Sequence, residues 1–96
     1  MDSANTDSNE NGLKASIEHK LLKRPQYHDR FQMLNNQEVI YLRQNAGFSK
    51  KEEMVFLMRC KGLNLISIAF ESNYSLSQIK KISARVNNKI RWILLV

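Results

Sequence analysis

Ninety-six residues, 43% of them apolar, suffice for one small domain and are too few for two, which excludes most enzymes built around a large cleft. Fifteen Lys and Arg against nine Asp and Glu give a formal charge of +6, unevenly spread. Residues 1–20 hold Asp2, Asp7, Glu10 and Glu18 against Lys14 and Lys20, whereas the stretch from Ser75 onward holds Lys80, Lys81, Arg85, Lys89 and Arg91 and no acid. A basic body with an acid-free end predicts a polyanionic partner. Nucleic acid is the commonest, and an anionic membrane surface or an acidic protein are the alternatives. A lone Cys60 precludes an internal disulfide and any Cys-x-x-Cys metal or redox motif, as suits a reducing cytoplasm. No apolar run reaches the ~18 residues of a membrane span, and the acidic N-terminus is no signal peptide. No membrane association is expected.

From Met1 to Gly12 the chain is almost wholly Asp, Ser, Asn, Glu and Thr, with too little apolar surface to offset the entropy of ordering. A disordered acidic tail is predicted over residues 1–20. Residues 21–35 follow as a linker, interrupted for helix by Pro25, and a short helix from near Tyr27 that buries Phe31 and Leu34. Residues 36–96 are the expected folded domain.

Asn35 and Asn36 offer an N-cap to a helix from Gln37 to about Asn45, whose Val39, Ile40 and Leu42 can face a core. Gly47 supplies a left-handed stop. Ser49 with Glu52 three residues on forms a capping box, so a third helix begins at Lys50 and carries Met54, Val55, Leu57, Met58 and Cys60 to Gly62. Asn64 can cap a fourth, short helix with Leu65, Ile66, Ile68, Ala69 and Phe70, closed by Asn73, a residue type that tolerates positive φ. Ser75 with Gln78 repeats the capping box and opens a fifth.

On that fifth helix Ile82, Val86, Ile90 and Ile93 fall within roughly 60° of Ile79 at 100° per residue, one apolar stripe. Ser77, Lys81, Ala84, Arg85 and Asn88 fall opposite, with Lys80 and Arg91 at the edge. Two short helices joined by a tight turn, the second amphipathic with a basic outer face, follow the helix-turn-helix plan. Small Ala69 suits the crossing of the two helices, Asn73 the turn, and Ile68, Tyr74, Ile79 and Ile82 the contact between them. The residues then positioned to enter a major groove are Ser75, Ser77, Gln78, Lys80, Lys81, Ala84, Arg85 and Asn88.

Phe48, Ser49, Glu52, Val55-Phe56, Gly62, Ile68-Ala69, Asn73, Tyr74, Ser75 and Gln78-Ile79-Lys80 stand in an order that resembles the helix-turn-helix of bacterial sigma factor region 4 and of LuxR-type response regulators. The likeness runs from Phe48 to Lys80. Ser72 and Ser83 stand where that family usually has Leu, and Asn73 where it has the turn Gly. The chain ends within or just after its recognition helix, without the further dimerisation helix of LuxR-type domains, an order closer to sigma region 4. The resemblance implies a small all-α bundle of about five helices that binds double-stranded DNA as a transcription regulator, encoded by a phage or mobile element. The alternative is a module that docks on RNA polymerase or on a sigma factor.

Within that expectation Gln78 bonds adenine in a bidentate way, Lys81 or Arg85 addresses guanine, Ser75 and Ser77 hold phosphates, and Lys80, Lys81, Arg85, Lys89 and Arg91 supply phosphate attraction. Met33, Met54 and Met58 read as core filler and His19 and His28 as surface histidines. Asp29, Glu38, Glu52, Glu53 and Glu71 form no catalytic pattern, and Gly12, Gly47 and Gly62 are too scattered to cradle a phosphate. No enzyme activity, metal, cofactor or small-molecule ligand is therefore expected. The run Trp92, Ile93, Leu94, Leu95 and Val96 either folds onto Phe31 or Leu34 to complete the core or forms a homodimer or RNA polymerase contact.

Overall fold

The computed structural model describes residues 2–22 and 30–95, with side chains described for residues 12–22 and 31–95. The protein is all-α. Among the described residues five helices follow in order: α1 (Asp2–Leu21), α2 (Asn36–Asn45), α3 (Lys50–Cys60), α4 (Leu65–Ser72) and α5 (Leu76–Leu95), with a 3₁₀ turn at Arg30–Met33 between α1 and α2. The Pro25 linker and the helix start near Tyr27 lie outside the described residues. No described helix is long and apolar enough to cross a membrane.

Local chemistry sets the ends of the central helices. The Asn35 side chain accepts the Glu38 N–H while the Glu38 carboxylate accepts the Asn35 N–H, a capping box at α2. Ser49 and Glu52 repeat the arrangement at α3, and Asn64 accepts the Ser67 N–H at α4. Gly47 (φ 69°) and Gly62 (φ 97°) take the left-handed conformation that lets the chain leave α2 and α3. Asn73, at φ 64° and ψ 19°, does the same between α4 and α5. Because a Cβ-bearing residue without a polar side chain strains this conformation by roughly 1–2 kcal/mol, Asn73→Ala is expected to lower stability by about 1 kcal/mol. Asn73→Gly should keep it, as read from denaturant midpoints.

Two apolar clusters meet along α5. The first gathers Ile17 and Leu21 of α1, Phe31, Leu42 of α2, Phe56 of α3, and Val86, Ile90 and Leu94 of α5. Phe56 is fully buried, its ring edge-on to Phe31 at 5.4 Å between centroids and tilted against Phe48 at 5.0 Å. The second cluster holds Val55 of α3, Ile68 of α4, and Ile79 and Ile82 of α5. The inner stripe predicted for α5 is thus its buried side, with Ile93 half-buried at its end.

Three expectations need correction. The tail expected through residue 20 gives way, over residues 12–20, to the second half of α1, where Ile17 is fully buried and Ser16 and Lys20 reach the Glu38 carboxylate. Apolar residues spaced at Leu13, Ile17 and Leu21 carry the helical signal that the polar stretch before them obscures. Within 21–35, Phe31 is buried in the first cluster with Leu34 packed against it, the two residues expected to be buried there. Ile40, expected to face the core, is 50% exposed, because α2 turns Leu42 and the Glu38 carboxylate inward instead. Met33 is exposed as well, whereas Met54 and Met58 pack against the second cluster as expected.

Candidate nucleic-acid interface

α5 positions the candidate site. Twenty helical residues rise ~30 Å, and with Ile79, Ile82, Val86 and Ile90 buried against the body, the opposite face is turned outward. Ser75, Ser77, Gln78, Lys80, Lys81, Ala84, Arg85 and Asn88 are all exposed, so α5 and the cap before it present every predicted site residue on one side of the molecule. Helix diameter and groove width are matched at ~12 Å.

Gln78 is not wholly free for base contact. Its Oε1 accepts from both the N–H and the hydroxyl of Ser75, while Ser75 Oγ accepts the Gln78 N–H. The predicted cap is formed, and it occupies the oxygen that a bidentate adenine contact would need. Asn88, exposed nearly three turns further along the helix, has no protein partner for its amide among the described residues.

Lys89 is bound within the protein. Its ammonium donates to the Glu52 carboxylate and to the Gly47 carbonyl, tying α5 to the cap of α3 and to the turn before it. The Glu52 carboxyl is held below its ordinary 4.5 chiefly by this Lys89 hydrogen bond, joined by the Ser49 N–H and opposed by burial. Lys89→Gln is therefore expected to lower stability by about 1 kcal/mol while leaving the salt dependence of polyanion binding unchanged. A phosphate-bound Lys89 would instead cost ~0.9 of slope.

Lys80, Lys81, Arg85 and Arg91 remain exposed, and none of them pairs with an acid among the described residues. Two cations missed by sequence reasoning border or brace this face. Lys51, at the start of α3, lies 5.3 Å from the ring centroid of Tyr74, which puts a further exposed ammonium beside the turn into α5. Arg59 donates to Ser83 Oγ at 2.7 Å and Asn87 Oδ1 at 2.8 Å, and its guanidinium lies 4.0 Å from the Phe31 ring centroid. That bonding accounts for a buried Ser83 where Leu is usual. Ser72, the other departure, accepts the Tyr74 N–H within the turn. Neither cation had a local sequence signal, because each acts on residues more than twenty positions away.

At the far end of α5 the helix continues through Trp92. Leu94 is buried and Ile93 half-buried in the first cluster, alongside Phe31 and Leu34. Trp92 is 73% exposed and Leu95 62% exposed on the outer side, and Val96 lies outside the described residues. On α4, Ile66 and Phe70 are also exposed, one helical turn apart.

Comparison with protein-family models, with curated proteins and with solved structures finds no match to this chain.

Proposed function

We propose that the protein is a small cytoplasmic transcription regulator that binds double-stranded DNA with sequence preference, a binding protein and not an enzyme, inserting the outer face of α5 (Ser75–Arg91) into the major groove. The observation that carries this is the division of α5. One side is sealed by two apolar clusters, and the other carries exposed Lys80, Lys81, Arg85 and Arg91 with no acid from Ser75 onward. A left-handed turn at Asn73 and a capped N-terminus hold that helix at a fixed angle to α4. The likeness of residues 48–80 to sigma region 4 and LuxR-type helix-turn-helix units supports the same reading.

In this mechanism Lys81 and Arg85 address guanine O6 and N7, Asn88 takes the adenine contact in place of Gln78, and Ser75 and Ser77 hold phosphates. Lys80, Arg91 and Lys51 neutralise phosphates on either side. Each phosphate so neutralised steepens the fall of log affinity with log salt by ~0.9. Selection of bound fragments from genomic DNA at near-physiological salt tests the proposal. Recovery of fragments sharing one short motif is expected, and recovery of random fragments at every salt concentration would overturn it.

Exposed Ile66 and Phe70 on α4 favour a second reading, a module that docks on RNA polymerase or a sigma factor. In that case Ile66→Ser with Phe70→Ser would abolish capture of polymerase subunits while leaving DNA retardation unaltered.

A further inference from the structure

Towards its end the outer face of α5 carries a side chain that the base and phosphate contacts above leave unused. Trp92 is 73% exposed, and among the described residues it makes no hydrogen bond, ring contact or cation–π contact. Leu95, 62% exposed, stands one helical turn further on.

Position distinguishes Trp92 from a stray surface aromatic. At 100° per residue Lys81, Arg85, Asn88 and Trp92 span roughly 60° of the helix circumference, so the ring continues the line of exposed cations. Arg91 precedes it, and no acid occurs from Ser75 onward. Apart from Trp92 and Leu95, the exposed positions of α5 from Ser77 onward bear basic or small polar side chains and Ala84, which is not the apolar stripe of a helix that lies in a membrane surface. A basic line that ends on an aromatic ring fits single-stranded nucleic acid, whose phosphates meet the cations and whose bases stack on the ring.

The length of the line sets where that strand would begin. Lys81 to Asn88 span ~10 Å along α5, within the ~12 Å width of the major groove, while Ser77 lies ~6 Å before this stretch and Trp92 ~6 Å after it. With Lys81, Arg85 and Asn88 on base edges, Trp92 stands at the rim, over the sugar–phosphate backbone. A paired duplex offers the ring no base face there, because paired bases present only their edges in the grooves. An unpaired base does. We propose that Trp92 is a stacking platform for an unpaired base, and that the favoured ligand is DNA in which a duplex adjoins a single strand. Lys81 and Arg85 then hold the paired part, and Arg91 meets the phosphates of the unpaired part. The proposal rests on the assignment of the outer face of α5 as a DNA site.

Trp92 is the only tryptophan of the chain, so its fluorescence reports the contact directly. The full chain is titrated at low salt with a short blunt-ended duplex and with the same duplex carrying an oligothymidine extension on one strand or the other. Binding about tenfold tighter, with stronger quenching of the indole, is expected for an extended duplex. Trp92→Leu keeps an apolar side chain without the aromatic face and should lose most of that gain, read from the anisotropy of labelled DNA, whereas Trp92→Tyr should keep most of it. Both substitutions fall at an exposed position, and circular dichroism should match that of the parent. Equal quenching by blunt and extended duplexes, or a gain that Trp92→Leu retains in full, would overturn the proposal and leave the duplex assignment standing. A blue-shifted emission on concentrating the protein without DNA would assign the ring to a second copy of the chain and overturn it as well. Binding to neither DNA would remove the outer face of α5 as a DNA site, and the stacking platform with it.

Discussion

Glu38→Ala is expected to lower folding stability by about 2–4 kcal/mol, a large share of the ~5–15 kcal/mol that holds a domain of this kind together. The Glu38 side chain is fully buried, and two of its three partners lie on another helix, α1. Its Oε1 takes the Lys20 ammonium at 2.7 Å and the Asn35 N–H at 2.9 Å, and its Oε2 takes the Ser16 hydroxyl. Truncation removes half of the α2 capping box, leaves a void, and strands the Asn35 N–H and the Ser16 hydroxyl without their acceptor. Lys20 retains some exposure and can turn to water, which keeps the estimate below that for a fully enclosed ion pair. Because the bonds run from α2 to α1, the loss should appear first as faster amide exchange over residues 16–21, ahead of α3 and α5.

The same carboxylate gives the fold a pH dependence of defined sign. Burial alone would raise the Glu38 carboxyl above 4.5, but hydrogen bonds from Lys20, Ser16 and the Asn35 N–H, with the charge of Lys20, outweigh burial and hold it below that value. Glu52 is depressed likewise. A carboxyl depressed on folding contributes its full stability above the unfolded value and loses it as the pH falls through the folded one. Denaturant midpoints should stay level down to about pH 5 and drop below about pH 4, and Glu38→Gln should make that drop shallower.

Lys81→Ala combined with Arg85→Ala is expected to weaken binding to a selected duplex by about a hundredfold or more, each bidentate base contact supplying ~1–3 kcal/mol of discrimination. Both side chains are exposed and make no hydrogen bond or ion pair within the described residues, and Ala is a strong helix former. Circular dichroism and the unfolding midpoint should therefore be unchanged to within ~0.5 kcal/mol. Lys80→Ala combined with Arg91→Ala gives the contrasting pattern, a similar proportional loss for selected and random duplexes and a shallower salt slope. The comparison separates base reading from phosphate attraction, and retardation of DNA unaltered by the first pair would remove Lys81 and Arg85 from the interface.

Helices α3, α4 and α5 were legible in the sequence because their signals are local. The Ser49–Glu52 box, the Asn64 cap, the Ser75–Gln78 box and the left-handed Asn73 all act within three residues, and the spacing of Ile79, Ile82, Val86 and Ile90 marks one buried face. The outward position of Ser77, Lys81, Ala84, Arg85 and Asn88 follows from that face by helix geometry alone. Hidden features depend on partners distant in sequence. Glu38 meets Lys20 across 18 positions, Lys89 meets Glu52 across 37, and Arg59 meets Ser83 across 24. A polar residue type predicts exposure, and only the fold supplies the partners that let Glu38, Glu52 and Ser83 be buried. The second half of α1 escaped notice for a related reason, since its few apolar residues count for little until Phe31, Ile90 and Leu94 provide a surface for Ile17 and Leu21.

Titration of the full chain with a selected duplex, followed through backbone and side-chain amide resonances, tests whether the outer face of α5 is the DNA-binding surface. The largest shifts should cluster at Ser75, Ser77, Lys81, Arg85 and Asn88, with smaller ones at Lys51 and Tyr74 and none at Ile40. Shifts confined to Ile66 and Phe70 on α4, or a spectrum indifferent to duplex at low salt, would contradict that assignment.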